Sequence, residues 1–200
     1  KIIDKLYTEK FDAVYYLGIG GTYASSMQAV TYMNGKSNLP VFVQHAAEYY
    51  TTGNKRLTKD SIVVVSSVTG TTQEVVKAVE EIKKVGATLI GFIDKAESKL
   101  SQLCDFVVTY PAPGTEQIKF FMVADRLMYL HGEFEDYSEY YEQLEHYLPT
   151  GLVEAEKKAD TFGLSFAEKH RRDSMHYFIG AGNQRGAVYS YAMCYWEEQS

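Results

Sequence analysis

Hydroxyl side chains are concentrated in one short stretch of the sequence, where residues 66–72 read Ser-Ser-Val-Thr-Gly-Thr-Thr. The free N–H groups and positive dipole end of a helix N-terminus attract anions, and Ser and Thr hydroxyls add neutral donors. A helical pattern follows, so the stretch predicts a phosphate-binding loop. No lysine follows Gly70, which disfavours a nucleoside triphosphate. The alternative is that Thr71 or Thr72 merely caps the helix.

A second candidate loop, residues 18–22, reads Gly-Ile-Gly-Gly-Thr and follows the first predicted strand. Glycine lets a backbone turn tightly and approach a ligand closely. Thr22 can add a hydroxyl to the same phosphate if the two loops lie on neighbouring strands. The spacing does not fit a dinucleotide-binding fingerprint, because no glycine stands three positions after Gly20 and the second predicted strand does not end in an acidic residue near Gln44. A plain tight turn is the alternative.

Two adjacent carboxylates, Glu197 and Glu198, end an otherwise apolar run over residues 187–196. A carboxylate is costly to bury, and one that is held in a site can act as a general base. Consecutive helical residues point about 100° apart, so only one of the two can face a given site. A solvated pair on an exposed helix face is the alternative.

The remaining reactive side chains form no metal or nucleophile pattern. The five histidines lack the spacing of metal ligands, and we therefore predict no metal site. Cys104 and Cys194 have no histidine nearby in the sequence, so both are interpreted as core thiols. The tyrosines of residues 137–147 more often pack helices or a subunit interface than bind a ligand.

Composition disfavours several kinds of partner. A formal net charge of −6 without any Lys- or Arg-rich run gives no basic field, so neither nucleic acid nor an anionic membrane is an expected partner. The apolar stretches have strand length, short of the roughly 20 residues of a membrane helix. Two distant cysteines suit a reducing compartment, which predicts a cytoplasmic location. Because the chain starts without methionine and stops after a helix-like run, we expect a fragment.

The elements that position the two loops alternate between strand and helix patterns, which is typical of βαβ units and a parallel sheet. Residues 62–65 are continuously apolar, so we place them at the centre of the sheet. Ligands of open α/β sheets bind beyond the carboxyl ends of strands, where both loops lie. We predict helices at 23–33 and 72–85, the second ending at Gly86, and strands at 14–18, 41–44, 62–66, 88–93 and 106–110.

After Pro111 the pattern becomes helical, over residues 118–131, 137–148 and 152–170. Residues 175–182 predict a strand, and residues 187–200 a helix. Residues 16–20 and 178–182 share the pattern apolar, apolar, Gly, apolar, Gly, which indicates an internal repeat. The predicted organisation is a first α/β domain at 1–135, a helical connector at 136–174, and the beginning of a second copy at 175–200.

The two loops resemble those of the SIS (sugar isomerase) phosphosugar-binding family, and the likeness covers nearly the whole chain. Residues 67–72 are similar to the family's Ser-x-Ser-Gly-x-Thr phosphate loop, with Thr69 at the second serine position. The resemblance implies an α/β fold with a doubly wound, flavodoxin-like parallel sheet of five strands. It also implies that a sugar phosphate is bound by Thr22, Gly21, Ser67, Val68, Thr69, Gly70 and Thr72.

Other segments resemble parts of the same family. Residues 46–49 and 114–116 are similar to segments after its second and fifth strands, which implies Glu48 and Glu116 as walls of the site. Residues 180–183 resemble the start of a second SIS unit in fructosamine-phosphate deglycases. The proton-transferring glutamate falls on Glu198 by the deglycase pattern and on Glu197 by that of glucosamine-6-phosphate synthase, and Glu198 is preferred.

The resemblance implies an enzyme that acts on a small phosphorylated sugar or ketosamine phosphate. The preferred reaction is that of a deglycase, which splits a fructosamine 6-phosphate into a hexose phosphate and an amine with Glu198 as general base. This chemistry requires neither a metal nor an organic cofactor. An isomerase of an aminosugar phosphate and a non-catalytic sugar-phosphate sensor are the alternatives. Sites of this family form between subunits, so a homodimer or larger homo-oligomer is expected.

Overall fold

The structure of the protein is a computed structural model that describes residues 1–110 and 116–199. It divides into two compact units, one formed by Lys1–Glu133 with Ile179–Ser200 and the other by Phe134–Phe178. None of the helices in the described part of the chain is long and apolar enough to span a membrane.

A parallel sheet of five strands lies in the first unit. The strands are β1 (Val14–Gly18), β2 (Val41–His45), β3 (Ile62–Ser67), β4 (Thr88–Ile93) and β5 (Phe106–Val108). Their order across the sheet is β2-β1-β3-β4-β5, and each neighbouring pair is parallel. The central position predicted for β3 is confirmed, and all of its residues are buried. The predicted fifth strand was too long, since β5 ends at Val108 rather than at residue 110.

The first unit places helices on both faces of this sheet. They are α1 (Ile2–Glu9), α2 (Gly20–Asn34), α3 (Ala46–Thr52), α4 (Gln73–Val85), α5 (Lys99–Leu103) and α6 (Glu116–Leu130). On one face α2 packs against α6, and on the other α3 packs against α4. Side chains of a strand alternate between faces, so Tyr15 and Leu17 join the cluster with Ile82 of α4, whereas Tyr16 contacts Phe120 of α6. The doubly wound α/β fold is thus confirmed.

The second unit consists mainly of one helix, α7 (Tyr137–His170), in which no residue is buried. The sequence predicted two helices here, divided around Pro149. The division was wrong, because a proline removes one N–H donor and the backbone on both sides of Pro149 keeps its helical conformation.

Residues 175–182 do not form the predicted strand. A β-strand is stabilised by hydrogen bonds to a neighbouring strand, and no neighbour pairs with this segment among the described residues. Its apolar side chains are correspondingly exposed, and Ile179 keeps 91% of its surface. The following helical prediction is confirmed by α8 (Gln184–Ser190), a π-helical segment (Tyr191–Trp196) and α9 (Glu197–Gln199).

Candidate functional site

A cavity of about 370 Å³ lies at the carboxyl ends of β1 and β3, the edge of the sheet at which the sequence placed both loops. Most of its polar wall consists of hydroxyl groups. Among the described residues, the lining contains no charged side chain. The lining residues are Ile19, Gly21, Thr22, Ser25, Ser66, Ser67, Val68, Thr69, Thr72, Val75, Gln117, Ser190 and Tyr195.

The hydroxyls of the loop between β3 and α4 bond within the loop itself. The Gly70 amide donates to Ser67 Oγ at 3.0 Å. The amide and the hydroxyl of Thr71 donate to Thr69 Oγ1 at 3.3 and 3.0 Å. Thr72 is the N-cap of α4, but its side chain makes no capping hydrogen bond. The protons of Ser67 and Thr69 can therefore point toward a ligand, beside the first turn of α4.

Gly70 allows this loop to pack tightly against the turn that precedes α5. Its φ of +65° lies in the left-handed region, and a Cβ at this position would lie 2.0 Å from Ser98 Oγ. The carbonyl of Gly70 accepts a hydrogen bond from the Leu100 amide at 3.2 Å. Ser98 itself caps α5, with its hydroxyl accepting from the Ser101 amide. The loop is thus fixed in place by its contacts with the capped N-terminus of α5.

Thr22 forms hydrogen bonds at the start of α2 and also lines the cavity. Its hydroxyl donates to the Ile19 carbonyl at 2.9 Å and accepts from the Ile19 amide at 3.2 Å. The proton of Thr22 is therefore engaged within its own loop, unlike those of Ser67 and Thr69. Gly21 lies beside it on the same wall.

The chain after α7 supplies two further wall residues, Ser190 and Tyr195, which the sequence analysis missed. α8 packs closely on α2, since a Cβ on Gly186 would lie 2.3 Å from the Ala24 carbonyl oxygen. Residues five apart point about 140° apart on an α-helix, whereas a π-helix has wider turns with i→i+5 bonds. The π-helical segment thus brings Tyr195 to the same cavity as Ser190, and the spacing of five was the available signal.

Glu197 and Glu198 are not among the described residues that line the cavity. Glu197 and Glu198 are both exposed at the end of the π-helical segment. Burial and then the charge of the Glu198 carboxylate raise the pKa of the Cys194 thiol. Cys194 Sγ in turn lies 3.9 Å from the position of a Cβ on Gly20, at the start of α2.

Glu48 is exposed on α3 and acts on a neighbouring tyrosine. Burial and then the Glu48 charge raise the pKa of Tyr23, whose ring packs edge-on against His45 and Tyr189. The Gly114–Glu116 segment falls outside the described residues, except that the backbone of Glu116 begins α6.

A buried lysine behind the cavity was also missed. Lys119 of α6 is 7% exposed, and its Nζ donates to Ser66 Oγ at 3.3 Å. Its Nζ also lies 3.4 Å from the centre of the Tyr110 ring. No signal in the sequence distinguishes this lysine from those on exposed helix faces.

Neither metal ligation nor a thiol nucleophile is indicated by the described residues. They contain no group of three His, Cys, Asp or Glu side chains that could hold a metal ion. Burial raises the pKa of Cys104 to about 12, which keeps its thiol protonated and unreactive.

The sequence is similar to those of known proteins. Fructosamine deglycase FrlB of Bacillus subtilis is 26% identical over 202 residues, a match that covers 96% of this chain and 60% of that protein. An HTH-type transcriptional regulator of Clostridium perfringens is 30% identical over 104 residues, which cover 51% of this chain and 36% of the regulator.

Solved structures show the same fold. The C-terminal domain of glucosamine-fructose-6-phosphate aminotransferase from Francisella tularensis matches with a TM-score of 0.77 and 21% identity, over 92% of this chain and 54% of that chain. This chain thus spans less than two thirds of each of these three proteins. The family model of the SIS domain matches residues 5–126, which is more than half of the sequence, and the chain therefore belongs to the SIS domain family.

Proposed function

We propose that the cavity binds the phosphate group of a phosphorylated sugar. The observation that carries this proposal is the wall of neutral hydroxyl donors at the first turn of α4, with Ser67 and Thr69 protons free of bonds to the loop. A helix N-terminus stabilises a negative charge, and hydroxyls supply further hydrogen bonds to phosphate oxygens. A volume of about 370 Å³ lies within the range of small-molecule sites.

The reaction that we propose for the whole protein is deglycation of a fructosamine 6-phosphate, which with water yields a hexose phosphate and an amine. A phosphate held at the non-reacting end of the sugar orients the reacting carbons toward one carboxylate. Glu198 removes a proton from the carbon next to the carbonyl or imine carbon. The likeness to fructosamine deglycase FrlB along 96% of this chain supports this choice.

The test is release of hexose phosphate from a panel of fructosamine 6-phosphates by the full-length protein. We expect release by the wild type and loss of at least about 100-fold in the Glu198→Gln variant, as for removal of a general base. Glu197→Gln tests the other assignment of the base, and Glu154→Gln on α7 is the control for charge alone. Release by Glu198→Gln at the wild-type rate would refute its role.

Two alternatives give different results in the same assay. An aldose–ketose isomerase would interconvert aminosugar phosphates without releasing an amine. A sensor would bind sugar phosphates saturably and catalyse nothing, and the likeness to a transcriptional regulator favours it as the second candidate. Saturable binding without release of hexose phosphate from any substrate would therefore replace the deglycase by the sensor.

A further inference from the structure

Lys119 is placed where its charge can act on the cavity through one serine. Lys119 is 7% exposed, and Ser66, which accepts a hydrogen bond from its Nζ, is 1% exposed. Ser66 is also one of the residues that line the cavity. One hydroxyl group therefore connects the buried amine to the wall of the site.

The direction of this hydrogen bond determines what Ser66 can offer to a ligand. A lysine ammonium only donates, so Ser66 Oγ accepts from Lys119. The hydroxyl proton of Ser66 is thereby left to donate in another direction. Hydrogen bonds that involve an ionised partner are stronger than neutral ones, and neighbouring bonds in a chain polarise one another.

The surroundings of Lys119 suit a cation. Its Nζ lies 3.4 Å from the centre of the Tyr110 ring, and the face of an aromatic ring attracts positive charge. Lys119 lies behind a cavity whose described wall has no charged side chain.

We propose that Lys119 is a positioning residue that, through Ser66, supplies the positive charge by which the cavity selects a phosphate dianion over anions of lower charge. This inference rests on the proposed binding of a sugar phosphate. It assigns Lys119 no contact with the ligand, and the effect is transmitted by the Ser66 hydroxyl and by the field of the ammonium group.

Two probes of similar shape but different charge distinguish the effect of ligand charge on affinity from the effect of ligand shape. Fructose 6-phosphate carries close to two negative charges above pH 7, whereas fructose 6-sulfate carries one. Calorimetric titration of the full-length protein with each probe at pH 8 gives the preference for the dianion. We compare the wild type with Lys119→Met, which keeps most of the length of the side chain, and with Ser66→Ala.

Lys77→Met is the matched control. Lys77 also lies over a tyrosine ring, with its Nζ 5.0 Å from the centre of Tyr50, but it is not part of the cavity wall. We expect Lys119→Met to weaken binding of fructose 6-phosphate about 10- to 100-fold and that of the sulfate clearly less. Ser66→Ala should reduce the same preference, and Lys77→Met should leave it unchanged.

Equal weakening of both probes by Lys119→Met, or no weakening of either, would overturn the inference. If Lys119→Met does not fold, the Ser66→Ala variant tests the inference instead. An unchanged affinity of Ser66→Ala for fructose 6-phosphate would also overturn the inference. Failure of the wild type to bind either probe would instead overturn the proposed function.

Discussion

At the scale of single residues, the hydroxyls around the cavity differ in what they can give to a phosphate. Ser67 and Thr69 accept hydrogen bonds from backbone amides, so their protons remain for a ligand. The Thr22 proton is held by the Ile19 carbonyl and must turn away from it before it can donate. We therefore expect Ser67 and Thr69 to contribute more to phosphate binding than Thr22.

The first prediction concerns Ser67→Ala. Loss of a hydrogen bond to a charged phosphate should weaken binding of fructose 6-phosphate about 10- to 100-fold. Ser61→Ala is the control, because Ser61 is also buried and also accepts a hydrogen bond from a backbone amide, that of Thr58 at 3.0 Å, but directly precedes β3 at the end away from the cavity. Titration calorimetry should show normal affinity in the Ser61 variant, and normal affinity in the Ser67 variant would contradict the assignment.

The second prediction concerns Gly70→Ala. A side chain at φ +65° is strained by about 1–2 kcal/mol, and this one would also collide with Ser98. Gly132→Ala is matched for strain, with φ +78° and nothing within 4 Å of the added Cβ. We expect a larger fall in Tm for Gly70→Ala than for Gly132→Ala, together with lost sugar-phosphate binding. Equal melting temperatures of the two variants would contradict this prediction, because they would show that Ser98 can move aside without a loss of stability.

At the scale of elements, the five strands of the sheet were predictable because their information is local, whereas α2 begins at Gly20, within the loop predicted at 18–22. β-branched runs specify buried strands, and Gly86 ends α4 in the left-handed conformation that its position predicted. The strand predicted at 175–182 failed because strand formation depends on a neighbouring strand. The apolar pattern of this segment does not by itself provide a neighbouring strand.

The parts of the site that were missed depend on packing rather than on pattern. Tyr195 lines the cavity from the π-helical segment at residues 191–196, whereas an α-helix would point it about 140° away from Ser190. Lys119 occupies a helical position whose burial follows from the fold of α6 over the sheet. Both contributions come from contacts between segments far apart in the chain.

The third prediction concerns Pro149 within α7. Proline gives no N–H, so the Glu145 carbonyl lacks its usual helical partner. Pro149→Ala should restore this bond and slow amide hydrogen exchange around residues 146–153. Gly151→Ala, in the same exposed turn, raises helix propensity by about 1 kcal/mol without adding a donor and should slow exchange less. Faster exchange in Pro149→Ala would contradict a continuous helix.

At the scale of the whole molecule, the first unit is stabilised by an ion pair between its first helix and α6. Asp4 and Arg126 bond directly, and the guanidinium holds the pKa of the Asp4 carboxyl well below its usual value. A lowered pKa in the folded state contributes stability that is fully present above the unfolded-state pKa, about 4, and is lost as the pH falls further.

The fourth prediction follows from the lowered pKa of Asp4. The Tm of the wild type should exceed that of Asp4→Asn by a constant margin from about pH 8 to 5, and the margin should shrink below about pH 4. Asp60→Asn is the control, because Asp60 pairs with Lys59 on an exposed surface. A margin for Asp4→Asn that persists unchanged to pH 2.5 would exclude the ion pair as its origin.

The organisation that we propose for the protein joins a first SIS unit to the start of a second through a helical connector, and a homodimer or larger assembly is expected. α8 and the π-helical segment contribute Ser190 and Tyr195 to the wall of the first unit's cavity. The proposed base, Glu198, directly follows these elements, so phosphate binding and proton transfer would meet where the two copies join.

The most direct test of the central claim is a crystal structure of the full-length protein with fructose 6-phosphate. We predict that the phosphate lies at the first turn of α4, within hydrogen-bonding distance of Ser67 Oγ and Thr69 Oγ1. A phosphate bound elsewhere on the molecule, with the hydroxyl cavity unchanged, would contradict the account.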